Sequence, residues 1–386
     1  MAALEHIERL RRKRARASFA RRLMILMLIG VAIALAVAFR HEISRLHLVE
    51  QLTDRLIGLG SGPGWPVEIS GITVREMQPM GNELAVLTDT DLIFYSAQGK
   101  EIRRVQHGYA NPVMKIGGSR VLLYDTGSRQ IRVESKTRPV GSKTLEQAVV
   151  TGNISADHRV VLVTEGARYA SEVTVLDGSL GQLYQWRSAD SRAMAAALSD
   201  RRDEMAVGTV NVRDGELYST LLLFRFDGEK EFVREELPGE LIHSLRYKEG
   251  YLQAVTSGGT MTFSETGKHM ARTDFGEEPL AAFEDKPALH TVLLLGDYRE
   301  FKEQELSVLD YTGKEAGTAL LDFQVEEVTA SDERIVVRSG GVLYLYGPDG
   351  QLLEEMSPLL EVLEMQLVGK SLYLLTPSSL ERITVQ

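Results

Sequence analysis

The sequence predicts an all-β fold: an eight-bladed β-propeller, or a seven-bladed one if one repeat is merged with its neighbour. One N-terminal transmembrane helix and a short helical stalk precede it. Three observations carry this expectation. A strand-rich unit recurs eight times after Trp65, one strand of each unit is almost wholly apolar, and a charge-free run, Leu23–Phe39, stands near the N-terminus.

The run comes first in the chain. LMILMLIGVAIALAVAF holds no charge and no amide, and as a helix it spans roughly 25 Å, near the short end of what a bilayer core requires. Arg22 and Arg40 flank it, and their long stems reach the headgroups. Ala34-Leu35-Ala36 and Ala36-Val37-Ala38 fit a signal-cleavage pattern. The run is nevertheless longer than a usual signal core and stays apolar to its end, so an uncleaved anchor is the expectation. Residues 1–22 form a basic tail with Arg9, Arg11, Arg12, Lys13, Arg14, Arg16, Arg21 and Arg22 against Glu5 and Glu8. The positive-inside rule then places the N-terminus in the cytoplasm and the body outside, on a single-pass plasma-membrane anchor. Anionic lipid is the simplest partner for such a tail.

Residues 40–64 form the expected stalk and linker. In HEISRLHLVEQLTDRL, Leu48, Val49, Leu52 and Leu56 share one helical face, and Gly58-Leu59-Gly60-Ser61-Gly62-Pro63-Gly64 ends the helix. The body, residues 65–386, is acidic: the whole chain of 386 residues carries a net charge of −10 despite its basic tail. That balance argues against nucleic acid as a partner. The sequence holds no cysteine, which excludes disulfides, thiolate catalysis and thiolate-held metals.

From Trp65 onward each unit has a first strand, a mostly apolar second strand and a third strand that usually ends in a glycine turn. The second strands read ELAVLTD (83–89), RVLLYD (120–125), RVVLVTEG (159–166), EMAVGTV (204–210), YLQAVTSGG (251–259), HTVLLLGD (290–297), RIVVRSGG (334–341) and SLYLLTP (371–377). Their spacing averages about 41 residues, the length of a four-stranded propeller blade. A strand buried between two neighbouring sheets is apolar on both faces, which explains the unbroken runs. The eighth unit ends after three strands, so Trp65–Ser70 (WPVEIS) is expected to supply its fourth and close the ring.

The segments LDYTGKEA (309–316) and SETGKHM (264–270) resemble the repeats of quinoprotein-like propellers. The whole layout resembles a domain family of unknown function from Gram-positive, Clostridia-type bacteria, made of single-span, membrane-anchored propeller proteins. The resemblance implies location and fold, and no activity. Quinoprotein blades typically carry a Trp-docking run of the form AxDxxxGxxxW. Here Val175-Leu176-Asp177 with Gly181 and Trp186 comes nearest, lacking the Ala and placing the Trp one residue late. With two tryptophans in the chain, no quinone, and no other cofactor, is expected.

Motifs for chemistry are few. His6, His41, His47, His107, His158, His243, His269 and His290 show no metal-ligand spacing, and isolated histidines in turns are expected to be solvated. There is no GxSxG elbow. Ser257-Gly258-Gly259 precedes no helix. Asp89-Thr90-Asp91 and Asn211-Val212-Arg213-Asp214-Gly215 lack the spaced oxygens of a calcium loop and read as hairpin turns. No catalytic or metal residue is therefore assigned.

Loop parity points instead to a surface. In an antiparallel blade the connections between second and third strands all emerge on one face. Four are tight: Asp89–Asp91, Ser257–Gly259, Ser339–Gly341 and Pro377–Ser379. Glu165–Ser171, Asn211–Tyr218 and Asp297–Glu305 are longer, and they carry Arg168, Tyr169, Arg213, Tyr218, Tyr298, Arg299, Phe301 and Lys302. Tyr and Arg are enriched in binding hot spots. The expected function is a non-enzymatic, membrane-anchored module that binds an envelope protein or wall component. A propeller enzyme acting on wall glycans or peptides is the alternative.

Overall fold

Alternating β-branched and aromatic residues between glycine turns set up short antiparallel strands, and each set of four forms one sheet. The computed structural model describes Met27 and residues 64–385 apart from 298–302 and 359. The tail 1–22, the run Leu23–Phe39 apart from Met27, and the stalk 40–63 lie outside the described residues. Among those described, no helix is long and apolar enough to cross a membrane. The chain divides into two units, Met1–Thr53 and Asp54–Gln386, and every strand belongs to the second.

Among the described residues, thirty-two strands form eight four-stranded sheets. A lone strand, β1 (Val67–Glu68), precedes the first sheet. Blade 1 is β2 (Val74–Met80), β3 (Glu83–Thr88), β4 (Asp91–Tyr95) and β5 (Glu101–Gln106). Blade 2 is β6 (Pro112–Gly117), β7 (Arg120–Asp125), β8 (Gln130–Ser135) and β9 (Pro139–Thr144). Blade 3 is β10 (Val149–Ile154), β11 (Val160–Glu165), β12 (Ser171–Leu176) and β13 (Gln182–Ser188). Blade 4 is β14 (Arg192–Leu198), β15 (Glu204–Arg213), β16 (Glu216–Arg225) and β17 (Glu231–Pro238). Blade 5 is β18 (Ile242–Lys248), β19 (Tyr251–Thr256), β20 (Gly259–Phe263) and β21 (His269–Asp274). Blade 6 is β22 (Leu280–Glu284), β23 (His290–Leu295), β24 (Gln304–Asp310) and β25 (Glu315–Leu321). Blade 7 is β26 (Glu327–Ala330), β27 (Ile335–Ser339), β28 (Val342–Tyr346) and β29 (Leu352–Met356). Blade 8 is β30 (Glu364–Val368), β31 (Ser371–Leu375) and β32 (Ser379–Thr384), completed by β1 on its outer edge.

The closure expected from the sequence is present. Val67 pairs with Leu380 and Glu68 with Ser379, and the Ile69 amide donates to the Ser378 carbonyl. Trp65 wedges its indole against Tyr373 and Tyr95, with centroids 5.0 and 6.1 Å away, and donates to the Ala97 carbonyl at 3.0 Å. The first segment of the propeller thus ties blade 8 to blade 1.

The core is a ring of interfaces and not one central mass. One apolar cluster fills each seam between neighbouring blades: 8/1, 1/2, 2/3, 3/4, 4/5, 5/6, 6/7 and 7/8 in turn. The second strands sit in the middle of their sheets and lose nearly all exposure: Leu84, Val121, Val161, Ala206 and Ile335 are fully buried. At about 25 cal/mol per Å² of apolar area, such burial is the main force holding the ring.

The 5/6 seam is smaller, and a polar cluster continues it. Lys248 Nζ donates to the His290 carbonyl at 2.5 Å and to Thr291 Oγ1 at 2.7 Å, and Thr291 donates to Gln253 Oε1 at 2.7 Å. Burial lowers the Lys248 ammonium to about 7, and burial beside Lys248 lowers the His290 imidazole to about 4. The expectation of solvated histidines therefore fails for His107, His158 and His290, which are buried, and holds for His243 and His269. His107 shows the reason. Its ring bridges the Thr88 carbonyl (3.1 Å) and the Tyr109 amide (3.0 Å), satisfying turn backbone that folding has cut off from water.

Candidate functional site

The chain reverses at every turn, so second-to-third connections share a face with the links between blades. On that face the four short connections are tight turns, as expected. Asp89-Thr90 and Asp214-Gly215 are both hairpin turns.

Blade 4 departs from the expectation. Asn211–Tyr218, expected as one of three longer connections, is mostly strand, because β15 and β16 run on through it to the Asp214-Gly215 turn. β15 and β16 are 10 residues each, against 5 to 7 for the second and third strands of other blades. They meet in a two-residue turn in which Asp214 and Gly215 both have positive φ, 52° and 86°, the geometry an Asp-Gly hairpin turn requires. The register is unbroken from Glu204↔Arg225 to Arg213↔Glu216. At ~3.4 Å per residue, the four additional residues carry the hairpin about 14 Å beyond its neighbours. Burial along β15 falls from complete at Glu204–Thr209 to open at Val212 and Arg213.

Arg213 and Tyr218 form one braced unit on this hairpin. The guanidinium lies 4.5 Å over the Tyr218 ring. Tyr218 donates its hydroxyl to Glu236 Oε2 at 2.9 Å, and Glu236 also faces Arg213 at 3.7 Å. That hydrogen bond to a carboxylate raises the phenol pKa. Blade 3 supplies a true loop, 166–170, with Arg168 and Tyr169 exposed, and Arg187 lies 5.6 Å over the Tyr169 ring. Four of the eight candidate residues therefore fall on adjacent blades of one face. Tyr298, Arg299, Phe301 and Lys302 lie outside the described residues.

The inner ring holds polar groups that sequence reasoning missed. First strands of successive blades lie side by side around it: β2, β6, β10, β14 and β18 on one arc, β22, β26, β30 and β2 on the other. Several reach forward to the next blade. Gln78 Nε2 donates to the Met114 carbonyl at 3.3 Å, and Ser244 donates to Asp285. Glu327 accepts from the Met365 amide at 2.9 Å, and Glu364 accepts from the Met77 amide at 3.3 Å. Lys286 Nζ extends to Gln366 Oε1 at 3.5 Å. Burial, reinforced by Glu327 and Glu76, pushes the Glu364 carboxyl up to about 7, and burial also raises Glu327. Burial opposes ionisation of Asp285 too, but Arg246 and Lys248 hold it below the usual carboxylate range. No motif flagged these residues, because they are spread over several blades at spacings set by the repeat.

The sign of the Glu364 effect follows from its raised pKa. Between pH 4.5 and about 7 the folded state keeps a proton that the unfolded chain has released. Stability therefore falls as pH rises through that window. Glu364→Gln is expected to remove this slope and raise the melting temperature at pH 8. Melting curves from pH 4 to 8 check this, and a variant no more stable than wild type at pH 8 would show that the carboxylate is well solvated.

The fold is shared with structures of distant sequence. BamB from Moraxella catarrhalis is 13% identical, with a TM-score of 0.52 over 84% of this chain and 98% of that one. The C-terminal WD40 domain of Sif2 is 8% identical, with a TM-score of 0.59 over 84% and 99%. A quinohemoprotein alcohol dehydrogenase, ADHIIG from Pseudomonas putida HK5, is 9% identical, with a TM-score of 0.53 over 84% and 72%. At such identities the likeness concerns the fold alone. No curated protein matches the sequence significantly. Residues 65–385 match the family described as "Family of unknown function (DUF5711)", and the chain belongs to that family.

Proposed function

We propose that the chain is a membrane-anchored, non-enzymatic binding or scaffolding module of the cell envelope. In this reading Leu23–Phe39 spans the plasma membrane of a Gram-positive cell, the N-terminus is cytoplasmic, and the propeller stands outside. The observation that carries it is the projecting β15–β16 hairpin beside the blade 3 loop. Together they present Tyr169, Arg213 and Tyr218, rigid and partly pre-paired, on one face of a stiff ring. Pre-organised aromatic and Arg side chains lose little freedom on binding, which is why they anchor interfaces. The partner is an envelope protein or a wall component, and Arg168 lies at the edge of the contact.

Loss of one anchor is expected to cost about 2 kcal/mol, roughly thirty-fold in affinity. Tyr169→Ala and Arg213→Ala should therefore reduce capture of the native partner while leaving the melting temperature nearly unchanged, since both side chains are largely exposed. Undiminished capture by both variants would move the docking site elsewhere.

The inner ring supports a second reading, an enzyme acting on wall glycans or peptides. A raised Glu364 beside a raised Glu327 is the pattern of a proton-sharing carboxylate pair. Each carboxylate, however, has one oxygen engaged by a backbone amide of the next blade, as a structural clamp requires. Under the scaffold reading, Glu364→Gln leaves partner capture intact.

A further inference from the structure

The seam between blades 2 and 3 is built differently from its neighbours. In blades 1, 3, 6 and 7 the outermost strand seals the seam with an apolar residue opposite a fixed position of the third strand. Those residues are Val105, Trp186, Ala319 and Met356, opposite Leu92, Val173, Leu306 and Leu343. In blade 2 the equivalent residue, opposite Ile131, is Lys143. Two positions earlier stands Gly141, where blade 1 has Arg103 and blade 3 has Tyr184.

The facing wall is altered as well. Blades 1, 4 and 5 turn Ile93 and Tyr95, Leu222 and Phe224, and Met261 and Phe263 toward the preceding blade. In blade 3 the counterparts of Ile93 and Tyr95 are Thr174 and Leu176, so a half-buried threonine stands where blade 1 has an isoleucine; Glu172, half-buried at the position of Asp91, continues the same phase. At the 1/2 seam a polar layer of this kind is filled by Arg103 and Arg132 around Glu134. At the 2/3 seam it is left open, as a cavity of about 410 Å³ between the two blades.

The chemistry of the cavity narrows what it takes. Both Glu172 oxygens are already bound, one by Gln185 Nε2 (2.6 Å) and one by Arg187 Nε (2.7 Å). Lys143 Nζ gives one of its donors to the Leu180 carbonyl at 2.8 Å and keeps the others. Asp177 interacts with Lys143 and Glu146 with Arg187, and the lining itself carries no net charge: Lys143 and Arg187 against Glu146 and Glu172. Gln147, Gln182 and Thr174 make no side-chain hydrogen bond to another described residue. Leu162 and Leu176 lie beneath this lining, fully buried in the 2/3 apolar cluster. A neutral cavity disfavours polyanions and polycations alike. Amide side chains with both a donor and an acceptor to spare match a peptide backbone. The lining has no aromatic residue on which a sugar ring would stack.

We infer that the groove between blades 2 and 3 binds a short extended peptide segment contributed by the docked partner. The inference rests on the docking face proposed above, because Arg187 lines the groove and stacks on Tyr169 of that face.

Saturation-transfer NMR on the full chain tests it, with acetyl-Gly-Leu-Gly-amide as the probe and N-acetylglucosamine as the saccharide control. Two variants fill the groove: Thr174→Phe from the blade 3 wall, and Lys143→Met, which copies the Met356 seal of blade 7. Transfer to the peptide should fall at least about fivefold in both variants, with melting temperatures kept. Transfer that is absent, unchanged in the variants, or stronger to N-acetylglucosamine would overturn the inference. Native-partner capture should fall with Thr174→Phe as it does with Tyr169→Ala. Capture lost with Tyr169→Ala but kept with Thr174→Phe would overturn the groove while leaving the docking face standing.

Discussion

Removing residues 65–71 is expected to open the ring. A fragment spanning 72–386 should aggregate, or melt on the order of 10 °C below one spanning 65–386. Three losses add up. The outer edge of β32 loses its pairing with β1 and becomes an exposed template for aggregation. Trp65 no longer packs on Tyr95 and Tyr373, and Ile69, 4% exposed, leaves the 8/1 cluster. Truncating one large core side chain costs about 3–5 kcal/mol, and each kcal/mol moves the midpoint of a domain this large by roughly 2–4 °C or less. The two fragments compared by scanning calorimetry decide the matter. Equal midpoints would mean that β1 is an appendage and not the closing strand.

The second large effect lies in the 1/2 seam. Glu134 is 1% exposed and receives Arg103 Nη2 at 2.8 Å and Arg132 Nη2 at 2.7 Å. The two arginine side chains keep 20% and 29% of their exposure, so the burial is lopsided. Removing both arginines leaves a buried carboxylate without a counter-charge, which costs about 3–5 kcal/mol. Removing the carboxylate leaves two guanidiniums that can still turn toward water, and the cost should be roughly half that. Urea melts of Arg103→Met/Arg132→Met and of Glu134→Gln should therefore rank in that order. The reverse ranking would show that water reaches Glu134.

Much of this architecture was legible from the chain. A strand in the middle of a blade is apolar on both faces, and ELAVLTD, RVVLVTEG and SLYLLTP announced that directly. Ring closure was legible for the same kind of reason: a unit short of one strand needs an outside one, and WPVEIS preceded the first unit. The hairpin was only half legible. Asp214-Gly215 gave the turn, but Asn211–Tyr218 carries enough polar residues to look like a loop. Only the pairing with β17, up to Tyr218↔Pro238, shows why the strands continue.

The inner ring and the open groove were not legible at all. Glu327 and Glu364 are separated by a whole repeat, and what joins them is the stacking of first strands. Lys143 and Glu172 look like ordinary surface residues until the register places them in a seam that Trp186 or Met356 closes elsewhere. Such features depend on which residues face each other across blades, and a linear pattern does not encode that.

The docking face is tested most directly by site-specific photocrosslinking of the full chain in its native host. A photoreactive residue replaces Tyr169 or Val212 on the proposed face, or Glu249 in the turn after β18 on the opposite face. The account predicts that Tyr169 and Val212 crosslink to the same protein or wall fragment and that Glu249 does not. Adducts at Glu249 alone, or different adducts at Tyr169 and Val212, would contradict it.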